Sequence, residues 1–189
     1  GVIGQKVGIR TYGGWSRARE QKSFKIYARK EYDENNKKLN YEFFPSETSV
    51  DGTVIDCYKR LVVRNCGNDN GFAFIRDELF QTLAAQAGYS DNQAVRPVAV
   101  FVNGDYRGFF WLHETYCDEY FEDHYGKYQG SFEIIEGGET YHNLDTDGAN
   151  EEIVKEYDNI YQKFSRKDLT DESNFQSLCE VIDVKNYLE

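Results

Sequence analysis

The chain has 189 residues, 22 Lys+Arg against 33 Asp+Glu, and a formal net charge of −11. That length suits one domain or two small lobes on a shared core. A hydrophobic content of 40% excludes wholesale disorder, and a charged fraction of 29% excludes a membrane-embedded protein. No apolar run approaches the roughly 20 residues that span a bilayer. The negative balance argues against general nucleic-acid binding, which needs a basic footprint.

The charge is unevenly spread. Residues 1–31 hold eight basic and two acidic side chains, a net +6. Residues 110–189 hold six against twenty, a net −14. A basic opening segment with an acidic tail suits an anion site fenced by acid, or a fold that is self-complementary in charge. Aromatics are abundant, with 15 Tyr, 13 Phe and 2 Trp. The four cysteines (Cys57, Cys66, Cys117, Cys179) form no CxxC pair. No Cys/His cluster has zinc spacing. Free buried thiols are expected, with a Cys57–Cys66 disulfide as the alternative.

In chain order, residues 5–12 read as a strand broken by Gly13-Gly14. Residues 23–29 alternate apolar and polar and read as a second strand. Tyr32 to Lys38 reads as a loop. Residues 58–64 are a β-branched strand ending in a turn cluster at 65–71. From Ile75 to Ala87 the period becomes helical, with Ile75, Leu79, Phe80, Leu83, Ala84 and Ala87 on one stripe. Gly88 follows as its C-cap. Val98, Val100 and Val102 alternate, Asn103-Gly104 signals a type I′ turn, and Tyr106 to Leu112 returns. A helix is expected from after Glu114 to about Tyr125, and a strand at Phe132–Ile135. Helices at 149–164 and 171–179 follow, with Asp183 as the N-cap of a last one. The overall reading is α+β.

The densest chemistry is Gly13-Gly14-Trp15-Ser16-Arg17-x-Arg19-x-x-Lys22. A glycine turn after a strand frees backbone N–H groups for an anion. Ser16 adds a donor, and the basic side chains add charge-assisted bonds to phosphate. A tight turn with solvated basic residues explains the same spacing. The cluster is neither a Walker A loop nor a GxGxxG fingerprint. Lys22 and Lys25 fall on opposite faces if both lie in the second strand. Asn143-x-Asp145-x-Asp147-Gly148 imitates a calcium loop, but its twelfth position is Val154, so an EF-hand is rejected. Arg64-Asn65, Asp69 and Arg76-Asp77 read as a capping and turn network. Glu114 follows an aromatic strand, where a partly buried carboxylate pairs with a basic residue or serves a ligand. No Ser/His/Asp triad is legible from residue order.

Taken together, several segments resemble the spore coat protein H (CotH) kinase family. They are Gly8-Ile9-Arg10 with Gly13 to Arg17, Gln21 to Lys25, Lys59 to Asn65 with Asn68-Asp69, and Arg76-Asp77. Arg96-Pro97, Val102-Asn103-Gly104-x-Tyr106-x-Gly108, Leu112-x-Glu114 and Ile182-Asp183-Val184-x-Asn186-Tyr187-Leu188 complete the set. The resemblance implies an atypical protein-kinase-like fold: an antiparallel-sheet N-lobe with one packed helix over 1–114, then mainly helices opening a second lobe over 115–189. It implies ATP and Mg²⁺ as cofactors and transfer of the γ-phosphoryl group to Ser/Thr hydroxyls of a protein. The alternative is a noncatalytic spore-coat or cell-surface assembly module on the same frame. A hydrolase with an acidic cleft is a third possibility, drawn only from the abundant carboxylates.

Carried over residue by residue, Arg17, Lys22, Lys25 and Ser16 are the expected phosphate ligands. Glu114 is the fifth residue of the expected cofactor-binding set, with a salt-bridge or hinge role, and Arg64 and Asp77 brace the lobe. No metal ligand and no catalytic base is assigned within 1–189. The family's aspartates are expected after the Asp183–Leu188 segment, so this chain by itself is expected to be inactive. The expected partner is a protein substrate, and the expected location is the spore coat or the extracellular surface of a bacterium.

Overall fold

Strand residues alternate between faces, so register decides which side chains share a layer. The computed structural model describes residues 3–45, 47–89, 91–126, 134, 136–137, 144–145 and 151–188. Five strands, β1 (Gly8–Thr11), β2 (Phe24–Tyr27), β5 (Arg60–Arg64), β6 (Val95–Val102) and β7 (Asp105–His113), form one antiparallel sheet. Its order is β1-β2-β5-β7-β6. Short strands β3 (Leu39–Asn40) and β4 (Cys57–Tyr58) pair separately, as do β8 (Glu136–Gly137) and β9 (Leu144–Asp145). The helices are α1 (Arg76–Gln86), α2 (Asp118–Tyr125), α3 (Glu151–Phe164), α4 (Glu172–Cys179) and α5 (Val184–Leu188). The α+β reading therefore holds.

Phe24 pairs with Val63, and Val63 with Leu112. These residues share one face with Ile26, Leu61 and Phe110. That face packs on Leu39, Phe44, Ile55 and Tyr58 to make the core. Leu61 is almost wholly buried, and burying such a side chain contributes about 1.5–3 kcal/mol. The opposite face carries Lys25, Val62, Arg64, Trp111 and His113. It meets α1 through polar contacts. His113 Nε2 lies 2.9 Å from Glu78 Oε1, Arg64 pairs with Asp77, and Trp111 Nε1 donates to Phe74 O at 2.8 Å.

The sequence places an apolar stripe on α1, and the structure shows that this stripe is not the buried side of the helix. Ile75, Leu79, Phe80 and Leu83 are exposed, whereas Glu78 is buried. The sheet face beneath α1 already carries basic and imidazole groups, and these take carboxylates rather than leucines. The helix is capped at Ala87, one residue before the expected Gly88, which follows at φ +95°. Its start is capped from outside: Asp69 Oδ2 accepts from Ile75 N and Arg76 N, each at 3.1 Å.

The β6–β7 hairpin turns at Asn103 (φ 54°) and Gly104 (φ 88°), both left-handed as a type I′ turn demands. A register shift lies between Val100 and Phe101. Val100 pairs with Gly108, which adopts φ +116°. A Cβ there would also lie 2.9 Å from Gln21 Nε2. Gly108→Ala is expected to lower stability by about 1–3 kcal/mol, read as a lower urea midpoint at unchanged m-value. An unchanged midpoint would show that the hairpin relaxes around the methyl group.

Other boundaries shift modestly. Strand β2 starts at Phe24, so Lys22 precedes it and only Lys25 lies in the strand. Helices α4 and α5 start as read: Asp171 accepts from Ser173 N and Asn174 N, and Asp183 accepts from Asn186 N. Of the strand expected at 132–135, only residue 134 is described, and it has no regular structure. Of the calcium-like loop, all but Asp145 lies outside the described residues. All four cysteines are free, and Cys179 is exposed rather than buried.

The chain falls into two compact units, Gly1–Gln129 and Gly130–Glu189. Helix α2 belongs to the first, tied by Lys38–Asp123 at 3.2 Å, by Arg60–Glu119 at 2.6 Å and by Val50 N donating to His124 O. The lobe boundary expected at 114/115 is a statement about a kinase-like frame rather than about these contacts.

Candidate anion site at the glycine turn

A 3-10 turn at Trp15–Ala18 follows Gly13-Gly14. Gly13 sits at φ +102°, and a Cβ on it would meet Ser16 Oγ at 2.2 Å. Only glycine lets the serine hydroxyl fold over the turn this closely. The N–H groups of Gly13, Gly14, Trp15 and Ser16 donate to no protein acceptor among the described residues. Four donors are thus left for water or for an anion.

Facing this turn is a second one, Gly67–Asp69, which follows β5. Between the two lies an open hollow of about 360 Å³, lined by Gly13, Gly14, Ser16, Ser23, Arg64 and Asn68 among others. Among the described residues, Arg64 is its only charged lining residue and no carboxylate lines it. One Arg64 nitrogen pairs with Asp77, and the other lies beside Gly67. Asp77 thus braces the guanidinium in the wall of the hollow, consistent with the bracing role expected of this pair.

Asn65 holds the two turns together from below. It is fully buried. Its Oδ1 accepts from Ser23 Oγ at 2.7 Å and from Gly67 N at 3.0 Å. Its Nδ2 donates to Gln21 O, and its own N–H donates to Ser23 Oγ at 2.9 Å. One side chain therefore sets the spacing between the glycine turn and the Gly67 turn.

Of the five residues expected to bind cofactor, Ser16 alone lines this hollow. Arg17 Nε turns back to Gly14 O at 3.4 Å. Lys22 Nζ donates to Arg17 O at 2.8 Å and Arg19 O at 3.0 Å, stapling the turn. Lys22 also lines a neighbouring groove of about 840 Å³ with Arg19, Gln21 and Arg107. Lys25 lies over the Tyr12 ring, 4.8 Å from its centre. Glu114 lies elsewhere, buried between the end of β7 and α2. Its Oε2 accepts from Ala94 N at 3.0 Å, and its Oε1 meets His124 Nε2 at 3.0 Å. The basic partner expected for Glu114 is thus a histidine.

Burial works against the His124 imidazolium. The hydrogen bond and charge of Glu114, joined by Glu47 and Asp123, outweigh it and raise His124 above its ordinary value of 6.5. Burial and the charge of Glu114 push the Glu47 carboxyl up as well. Burial pushes the thiols of Cys66 and Cys117 up to about 11, so both stay protonated near neutrality.

Sequence reading did not place Ser23, Arg64 or Asn68 around the anion hollow. The usable signal is that two glycine-bearing turns follow strands β1 and β5, which both pair with β2.

An antiparallel sheet with one helix on its polar face and a glycine turn at a strand end defines an α+β frame. The chain belongs to the CotH kinase protein family, whose match covers residues 9–189. No curated protein and no solved structure matches the chain. Among the described residues, no helix is long and apolar enough to cross a membrane.

Proposed function

We propose that this chain carries the phosphate-binding part of a CotH-like protein kinase that passes the ATP γ-phosphoryl group to Ser/Thr hydroxyls of a spore-coat or surface protein. The supporting observation is the hollow lined by the glycine turn with its unbonded backbone N–H groups, by Ser16 and by Arg64, with no carboxylate among the described lining residues. Such a wall neutralises phosphate charge, and positioning with charge neutralisation supplies most of phosphoryl-transfer catalysis. Mg²⁺ bound with ATP would shield the phosphate charge. This chain's own part is narrower. The turn N–H groups and Ser16 orient phosphate oxygens, and Arg64, held by Asp77, supplies the fixed positive charge.

The test is calorimetric titration with ATP and Mg²⁺. Binding is expected, weakened about tenfold or more in Arg64→Gln, since a bond to a charged group contributes roughly 1.5–3 kcal/mol. Equal binding by wild type and Arg64→Gln would remove the hollow from the reading. Complete absence of binding would favour the noncatalytic assembly module. The specific observation on that side is the exposed apolar face of α1, with Ile75, Leu79, Phe80 and Leu83.

A further inference from the structure

Two clusters in the first unit combine two carboxylates with an imidazole: Glu47, Glu114 and His124, and Asp77, Glu78 and His113. They have the same composition but differ in how their atoms are satisfied. In the first, both Glu114 oxygens are hydrogen-bonded, one to Ala94 N and one to His124. It is complete as an ion-pair cluster.

The second cluster is not complete. Glu78 and His113 are 3% and 1% exposed. Only Glu78 Oε1 and His113 Nε2 meet, at 2.9 Å. Glu78 Oε2 and His113 Nδ1 are buried with no hydrogen-bond partner. Each such orphan costs about 1–3 kcal/mol unless something else satisfies it. Asp77 pairs with Arg64 through Oδ2. Its side chain is 33% exposed, so the cluster has a route to solvent. One ligand atom from each of the three residues lies within 4.8 Å of the other two. Tetrahedral zinc with bonds of about 2.0–2.1 Å needs ligand atoms roughly 3.3 Å apart. The His113–Glu78 pair is already that close, and a turn of the half-exposed Asp77 side chain brings in the third.

We propose that Asp77, Glu78 and His113 form a binding site for a divalent first-row transition ion, Zn²⁺ or Mn²⁺, between α1 and the end of β7. An imidazole with two carboxylates is a donor set such ions accept. The cation displaces the hydrogen bond between His113 Nε2 and Glu78 Oε1, reaches the orphaned second oxygen of the Glu78 carboxylate and leaves His113 Nδ1, across the ring, as it is. The three ligand atoms that come together belong to two carboxylates and an imidazole, so the donors are nitrogen and oxygen. The site shares Asp77 with the Arg64 pair in the wall of the hollow, so its test reads metal uptake rather than nucleotide binding.

The experiment is titration of the EDTA-stripped chain with Zn²⁺ and, separately, Co²⁺, followed by calorimetry and visible absorption. One equivalent is expected to bind, raising the melting temperature with ion concentration. Co²⁺ is expected to give the visible bands of a nitrogen- and oxygen-ligated site. His113→Gln and Glu78→Gln are each expected to weaken binding by about 100-fold or more, with circular dichroism showing the fold retained. Should either buried variant fail to fold, Asp77→Asn, on a part-exposed residue, is expected to weaken uptake at least about tenfold. No uptake by wild type, uptake unchanged in the folded variants, or a strong thiolate-to-cobalt charge-transfer band would overturn the site.

Discussion

Asn65→Ala is expected to lower the unfolding free energy by about 3 kcal/mol and to abolish phosphate binding at the glycine turn. The substitution strips a buried acceptor from Ser23 Oγ and Gly67 N, and a donor from Gln21 O. Each group left unpaired costs roughly 1–3 kcal/mol, and neighbouring losses are not additive. Ser23, which lines the anion hollow, then loses its fixed orientation. Urea unfolding with calorimetric ATP titration reads both effects. A loss below about 1 kcal/mol, or intact nucleotide binding, would show that the two turns hold their spacing without Asn65.

Glu114→Ala is expected to cost about 3–5 kcal/mol, the range for removing one partner of a buried ion pair. It strands the Ala94 N–H and the His124 imidazole together. Glu114→Gln keeps the shape and costs less, but it removes the charge. The pH dependence separates charge from shape. His124 is raised above 6.5 in the folded chain. Its contribution is therefore fully present below pH 6.5 and is lost as pH rises through the raised value. Burial raises the Glu47 and Asp123 carboxyls as well. The Cys66 and Cys117 thiols, at about 11 when folded, matter only above pH 9. Between pH 6 and 8.5 the wild-type melting temperature is expected to fall relative to Glu114→Gln and His124→Gln. Parallel curves for all three proteins would mean that the pair carries no linkage.

Much of the local structure was legible in the residues. Alternation located the strands around Ile26, Val62 and Val98. Asn103-Gly104 marked the hairpin because only small or Asx residues tolerate two left-handed positions in succession. Asp171 and Asp183 marked helix starts because a short carboxylate reaches the free N–H groups of the first turn. The α1 stripe was legible as a pattern but not in its direction. Periodicity reports which residues share a face, not which face is buried. His113 and Arg64 on the sheet turned Glu78 and Asp77 inward, and the leucines stayed outside.

The candidate site divides in the same way. The glycine turn and Ser16 were visible as chemistry, because Gly-Gly before a hydroxyl and basic residues is an anion pattern. Which basic residue faces the hollow was not visible. Lys22 is spent on carbonyls of its own turn, while Arg64, forty-two residues later, comes alongside through β5.

Length, composition and charge by themselves determined a folded chain with a basic opening segment and an acidic remainder, the periodicity of its segments determined the α+β class, and its short motifs carried the family resemblance. Only the tertiary structure decided which charges meet. Strand pairing across β1, β2, β5 and β7 joins residues dozens of positions apart. Burial then makes the Glu114–His124 and Glu78–His113 partnerships matter, because an unpaired charge in the interior costs more than one in water.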